Sequence, residues 1–281
     1  MKENYFTFID NDGNEIDYCY MPIYNGSIVN NKLRSLSGKS ILNSSTAQSE
    51  INYAKANNLT DDIIWYTEVY CDIVLLQLLL TLIGKSTDSQ TVFGNGHYTG
   101  GSNASHLLKT GTMNTKGLFW GTNGTWSGVK VFGIENFYGD RWHRVAGYMY
   151  VYGVQKIKMT YGQSDGSETD GYNLDGSGYI EISDSTCSGT SGGYISKMKF
   201  TKNGFIPLVV SGSSTTKYCD GLWFANGVIY MLFGGSCLCG FLVGFFYSYL
   251  NFAASDSVWD VGASLSCKPL AKISKEEEEQ S

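Results

Sequence analysis

The chain has 281 residues, of which 42 % are hydrophobic, 14 % aromatic and 16 % charged, with a formal net charge of −6. That length allows one or two domains and a core large enough to need neither disulfide nor metal. With 20 Tyr, 14 Phe and 6 Trp, the body of the chain is not of disordered composition. The 26 acidic residues outnumber the 20 basic ones, and no Lys/Arg cluster exists to neutralise phosphates, so nucleic acid is excluded as an expected partner. Thirty-four Gly against 3 Pro suits a turn-rich β scaffold.

The N-terminus, MKENYFTFID, has neither an apolar h-region nor a small-residue cleavage site. No secretory signal peptide is expected, and synthesis in the cytoplasm follows. Cys19, Cys71, Cys187, Cys219, Cys237, Cys239 and Cys267 form no CxxC pair and no His–Cys metal spacing, so they read as reduced thiols. No cofactor is implied.

Tyr5 to Tyr20 reads as a β-hairpin, with YFTFI and IDYCY flanking the turn Asp10-Asn11-Asp12-Gly13-Asn14. A calcium loop there fails at Glu15, where the sharp turn needs Gly, and at Met21, where a bidentate acid belongs. Ala47, Ile51 and Ala54 mark a short amphipathic helix over Ala47–Asn57. Thr67 is the expected N-cap of a second helix, Glu68–Ile83, closed by Gly84. Its apolar run Ile73–Ile83 is 11 residues long, too short to span a bilayer, so a helix buried on every side is expected. From Val92 onward, short runs rich in Val, Ile, Tyr and Phe alternate with Gly/Ser/Asn/Asp clusters. The fold class is therefore α+β, two helices followed by many short, mostly antiparallel strands. Asp165, Asp170, Asp175 and Asp184 sit among Gly and Ser and read as turn residues. Residues 1–16 are read as an N-terminal hairpin region, 17–268 as the domain and 269–281 as a charged, solvated tail.

Gly227 to Tyr247 carries no charged residue over 21 positions. Gly234-Gly235-Ser236 interrupts the run and no Lys or Arg flanks it closely, so strands over Val228–Phe233 and Phe245–Leu250 are expected rather than membrane insertion.

Gly133-Ile-Glu-Asn-Phe-Tyr-Gly-Asp-Arg-Trp142 resembles the GNVWEW segment of the C-type lectin-like fold shared by formylglycine-generating enzymes and phage tropism proteins. Leu232-Phe-Gly-Gly-Ser236 is similar to that family's GGS strand, Asn251–Ser257 to its Asn/Ala/Ser loop, and Trp259–Leu265 to its closing strand. The resemblance covers Asp17 to Lys268. In the enzyme branch, the GGS strand continues into two copper-binding cysteines separated by four residues. Cys239 falls on the first position, but Gly244 occupies the second, and one thiolate cannot form a two-sulfur Cu(I) site. In a strand, Cys237 and Cys239 would share a face, a spacing foreign to the family. His97, His106 and His143 have no neighbouring Ser or Cys pattern of a triad. No catalysis is expected.

The other branch comprises the variable proteins of diversity-generating retroelements, including phage tail-tip proteins, whose final segment varies over fixed strands. Residues 232–266 contain no Lys, Glu, Gln or Met and place large apolar residues where a loop is expected. The resemblance thus implies a receptor-binding protein of a virion tail, or of a bacterial cell surface, whose partner is a host cell-surface receptor or other macromolecular ligand, with homo-oligomerisation open. Candidate contact residues are Cys237, Leu238, Cys239, Phe241, Leu242, Val243, Tyr247, Tyr249, Phe252, Asp256, Val258 and Asp260. Trp142 and Trp259 are assigned to the core. Two alternatives stand: a tail or head decoration subunit, and a divergent non-catalytic relative of the oxidases. The candidate residues could also be plain core strand; exposure separates the two readings.

Overall fold

Short β-branched and aromatic runs, cut by Gly, Ser and Asn, form sixteen strands among the described residues of a computed structural model. These residues are 6–9, 14–60, 62–123, 127–158, 176–216 and 220–269. In chain order the elements are β1 (Ser27–Val29), β2 (Lys32–Arg34), α1 (Ala47–Lys55), β3 (Ile63–Thr67), α2 (Tyr70–Gly84), α3 (Ser89–Phe93), β4 (Lys130–Val131), β5 (Ile134–Glu135), β6 (Trp142–Val151) and β7 (Val154–Ile157). Then follow β8 (Ile180–Glu181), β9 (Ser188–Gly189), β10 (Gly192–Thr201), β11 (Gly204–Val210), β12 (Gly221–Phe224), β13 (Val228–Phe233), β14 (Ser248–Phe252), β15 (Val261–Gly262) and β16 (Leu265–Pro269). The class is α+β. Asp10, Asp12, Asp165, Asp170, Asp175, Cys219 and the tail from residue 270 lie outside the described residues.

The main sheet runs β8-β7-β6-β13-β14-β12-β10-β11-β9, with β15 added beside β6. Most pairings are antiparallel; β12 with β14, β9 with β11 and β15 with β6 are parallel. β6 serves two neighbours on one side, because its first residues pair with β15 and its last with β7. Between them, the register against β13 shifts from Met149–Tyr230 to Arg144–Leu232, and Ala146 turns its N–H to Glu68 O. The last strand, β16, pairs antiparallel with β3, and its Cys267 also bridges Tyr20.

α1 forms as the 3.6-residue spacing predicts, with Thr46 Oγ accepting the Ser49 N–H as N-cap. α2 starts later than expected. Thr67 stays in β3, opposite Leu265, and Val69 precedes the helix without a side-chain cap. Gly84 is the last residue of the helix, and Lys85 takes the left-handed closing position at φ 51°. The expectation of burial all round is corrected. Ile73, Val74, Leu76 and Leu80 pack on the sheet, but Leu79, Leu82 and Ile83 are 37, 72 and 53 % exposed. The N-terminal part, Tyr70–Val74, is enclosed on every side, whereas the C-terminal turns leave one side in solvent.

The N-terminal hairpin is also corrected. Phe6–Phe8 is a 3₁₀ turn, and only an isolated bridge joins Ile9 to Glu15. Thr7 donates its hydroxyl to Cys71 O at the start of α2, and Tyr20 pairs with Cys267 instead. The two halves meet at the Ile9–Glu15 bridge and the adjoining Ile16 N–H to Phe8 O bond, and each also docks on the domain. β13 forms at its expected bounds, while β14 begins at Ser248 because Gly244–Tyr247 is a turn. No helix of the described residues is long and apolar enough to cross a membrane.

Candidate functional site

Strand periodicity divides the apolar residues of β12, β13 and β14 between two faces. Leu222, Met231, Phe233 and Leu250 enter the main core beneath α2. The alternate residues, Leu232 and Tyr249, turn to the opposite face and join Trp142, Tyr247 and Val261. Phe252 joins that face because the register slips between Tyr230–Phe252 and Leu232–Tyr249, giving β14 one extra residue and a bulge. Cys239, Leu242 and Val258 pack against its rim. Trp223, 37 % exposed, lies beside Tyr249 with ring centroids 5.9 Å apart and planes 22° from parallel. Tyr249 contacts Trp142 at 5.1 Å and Phe252 at 5.6 Å. The result is a half-exposed aromatic face over a fixed tryptophan.

Next to this face, Gly234–Tyr247 forms a compact turn around the 3₁₀ element Gly240–Leu242. Gly235 is required: its φ is 86°, and a Cβ would meet Val243 Cγ1 at 2.8 Å. The turn is held by side chains from outside it. Gln90 Nε2 donates to Phe241 O at 2.5 Å and to Val243 O at 2.7 Å. Gln77 Nε2 donates to Phe245 O at 2.6 Å. Ser89 Oγ accepts the Phe245 N–H at 3.1 Å, and Asp220 Oδ2 accepts the Phe246 N–H at 2.7 Å. Every one of these bonds ends on main chain of the turn, so its conformation does not depend on which side chains stand at 238, 241 or 242.

Of the candidate contact residues, Cys239, Leu242, Tyr247, Tyr249, Phe252 and Val258 come together around Trp142. Leu238 and Phe241 project into solvent, 43 and 57 % exposed. Asp256 is half-buried and closes its own turn by accepting the Ala253 N–H. Four expectations are corrected: Cys237, Val243, Tyr247 and Asp260 are buried and cannot belong to an exposed patch. Val243 fills the space above Gly139 and Gly235; Tyr247 packs edge-on to Trp142; Asp260 bonds Ser236. Cys237 and Cys239 share no face, because this segment is a turn rather than a strand. Trp142 is core, as expected, whereas Trp259 is half-buried.

His143 and Glu68 are engaged structurally. His143 Nδ1 faces both oxygens of Glu68 at 2.9 and 3.1 Å, and Nε2 faces Asn136 O at 3.2 Å. Both ring nitrogens are thus held against groups of the fold itself. Burial of Glu68 is outweighed by His143, Arg141 and the Ser264 N–H, which hold its carboxyl below the usual range. Burial pushes the Cys237 thiol up to about 11 and raises Cys239 too, away from nucleophilic or metal-binding thiolate. Among the described residues no group of three His, Cys, Asp or Glu could hold a metal ion.

Sequence reasoning missed Trp223 and the four clamping residues. Trp223 lies before the segment 232–266, and its outward direction follows only from Leu222 pointing inward. Gln77, Ser89, Gln90 and Asp220 act over separations of 26 to 168 residues, which no local pattern records. No family model matches the chain, and no curated protein matches it.

Proposed function

We propose that the chain is a phage-type receptor- or ligand-binding protein, a C-type lectin-like scaffold related in fold to formylglycine-generating enzymes and diversified in its 232–266 segment by a retroelement. The observation that carries this reading is the clamping of the Gly234–Tyr247 main chain by Gln77, Ser89, Gln90 and Asp220. A turn whose backbone is fixed from outside tolerates changes at its exposed positions, and a rigid turn loses little entropy on binding. Leu238, Phe241, Leu242, Tyr249 and Phe252, with Trp223 added, supply the apolar and aromatic anchors that dominate interface energy. The occupied nitrogens of His143 and the raised thiols support binding rather than catalysis.

The test compares the wild type with the Leu238→Ser/Phe241→Ser variant for adsorption of labelled protein to bacterial cells. The variant is expected to melt like the wild type, within about 0.5 kcal/mol per residue, and to lose adsorption. Adsorption unchanged by both substitutions overturns the assignment of this face. The retroelement part is tested separately in nucleotide sequence: a near-copy of the codons for 232–266, differing at adenines and followed by a reverse transcriptase, is expected downstream.

A further inference from the structure

Asp220 is fully buried just before β12, with one oxygen in use and one without a partner. Oδ2 accepts the Ser89 hydroxyl at 2.5 Å and the Phe246 N–H at 2.7 Å. Oδ1 has no hydrogen-bond partner and lies against Gly244, where a Cβ would sit 2.0 Å from it. No Lys, Arg or His among the described residues pairs with this carboxyl. The titratable groups that face it are Asp88, ahead of α3, and Tyr138, ahead of β6. Asp88 carries the same charge, and the Tyr138 hydroxyl is committed to Ser89 O and Gly94 O. An ionised Asp220 would therefore be a buried charge with no cation beside it among the described residues and an unsatisfied oxygen, the costliest kind of polar group to enclose.

We propose that Asp220 is a proton-operated latch: neutral, it ties the turn at Gly244–Tyr247 to α3 and β12; ionised, it releases that turn and the exposed loop 238–242 that the turn anchors. The inference concerns the loop's mobility and holds whatever the loop binds. Burial pushes the Asp220 carboxyl up to about 8, whereas in an opened turn it meets water and returns to the usual carboxylate range. Between those two values the open form sheds a proton that the closed form keeps. Opening thus becomes about tenfold more frequent for each pH unit, and levels off above about pH 8.

Amide hydrogen exchange on the whole chain, corrected for the intrinsic pH dependence, tests this without a ligand. The Phe245 and Phe246 amides are expected to exchange faster than those of Ile73 and Tyr148, and to lose about a hundredfold in protection from pH 5 to pH 7. In Asp220→Asn, which is neutral throughout, these two amides are expected to show no such loss. Equal exchange of the turn and the core, or an unchanged pH dependence in Asp220→Asn, overturns the latch. Should that variant not fold, the carboxyl ¹³C resonance of Asp220 in the wild type decides: it is expected to stay in its protonated position past pH 6, and titration in the usual carboxylate range overturns the proposal.

Discussion

Arg144 lies in β6 with its guanidinium buried among acceptors from two separate segments, 45–50 and 253–256. It donates to Glu50 Oε2 at 2.9 Å, Ser45 O at 3.1 Å, Asp256 O at 2.8 Å and Ala253 O at 3.4 Å. The side chain thereby fixes the 253–256 turn beside Phe252, to one side of the aromatic face. A buried ion pair is weak evidence for stability as a whole, but deleting one partner leaves the other charge uncompensated. Glu50→Ala is expected to cost about 3–5 kcal/mol in denaturant unfolding. A loss below about 1 kcal/mol would show that water reaches the guanidinium. The sequence discloses little of this. Arg144 lies two residues from Trp142, yet its acceptors, a carboxylate and three main-chain oxygens, are 94 to 112 residues distant in sequence. Trp142 itself is legible as a core residue, whereas Trp259, assigned to the core on the same footing, is half-buried.

At the scale of elements, α2 separates what periodicity discloses from what it conceals. A run of leucines at nearly every position identifies a helix but not the face it turns inward. The sheet makes that choice: Leu80 is fully enclosed, whereas its neighbour Leu79 is 37 % exposed. Leu80→Ala is expected to cost about 2–5 kcal/mol, and Leu79→Ala under about 1 kcal/mol. Chemical denaturation of the two variants checks the orientation; equal losses would mean that the helix is enclosed on both sides. The Gly234–Tyr247 turn divides in the same way. The break at Gly234-Gly235 was readable from the glycines, but the inward direction of Cys237 and Val243 was not, since a turn has no fixed period. Val243→Ala is therefore expected to cost about 2 kcal/mol through lost burial and a cavity, whereas Phe241→Ser stays within about 0.5 kcal/mol. Melting of the two single variants tells the anchoring positions of the turn from its displayed ones.

For the whole molecule, the buried carboxyls set an unusual dependence of stability on pH. Glu68 joins three segments: it precedes α2, pairs with His143 of β6, and accepts the Ser264 N–H just ahead of β16. Because its carboxyl is held below the usual range, its stabilisation is present above about pH 4.5 and is lost as pH falls. Most other enclosed acids act in the opposite sense. Burial raises Asp72 and Asp260, pushes Asp140 up to about 6 and carries Asp220 to about 8. Each of these keeps a proton in the folded chain that the unfolded chain has already released. Their contribution is complete below about pH 4 and fades as pH rises through the folded values. The fold should therefore be most stable near pH 4.5, where Glu68 is ionised and the raised carboxyls still hold their protons, and decline from there toward pH 8. Thermal melts at constant ionic strength from pH 4 to pH 9 are expected to trace that maximum. Asp220→Asn should remove the part of the decline that extends beyond pH 6, and Glu68→Gln should flatten the acid side alone. A melting temperature that climbs steadily from pH 5 to pH 8 would mean that water or a counter-ion reaches these carboxyls, and that the enclosure derived for them is wrong.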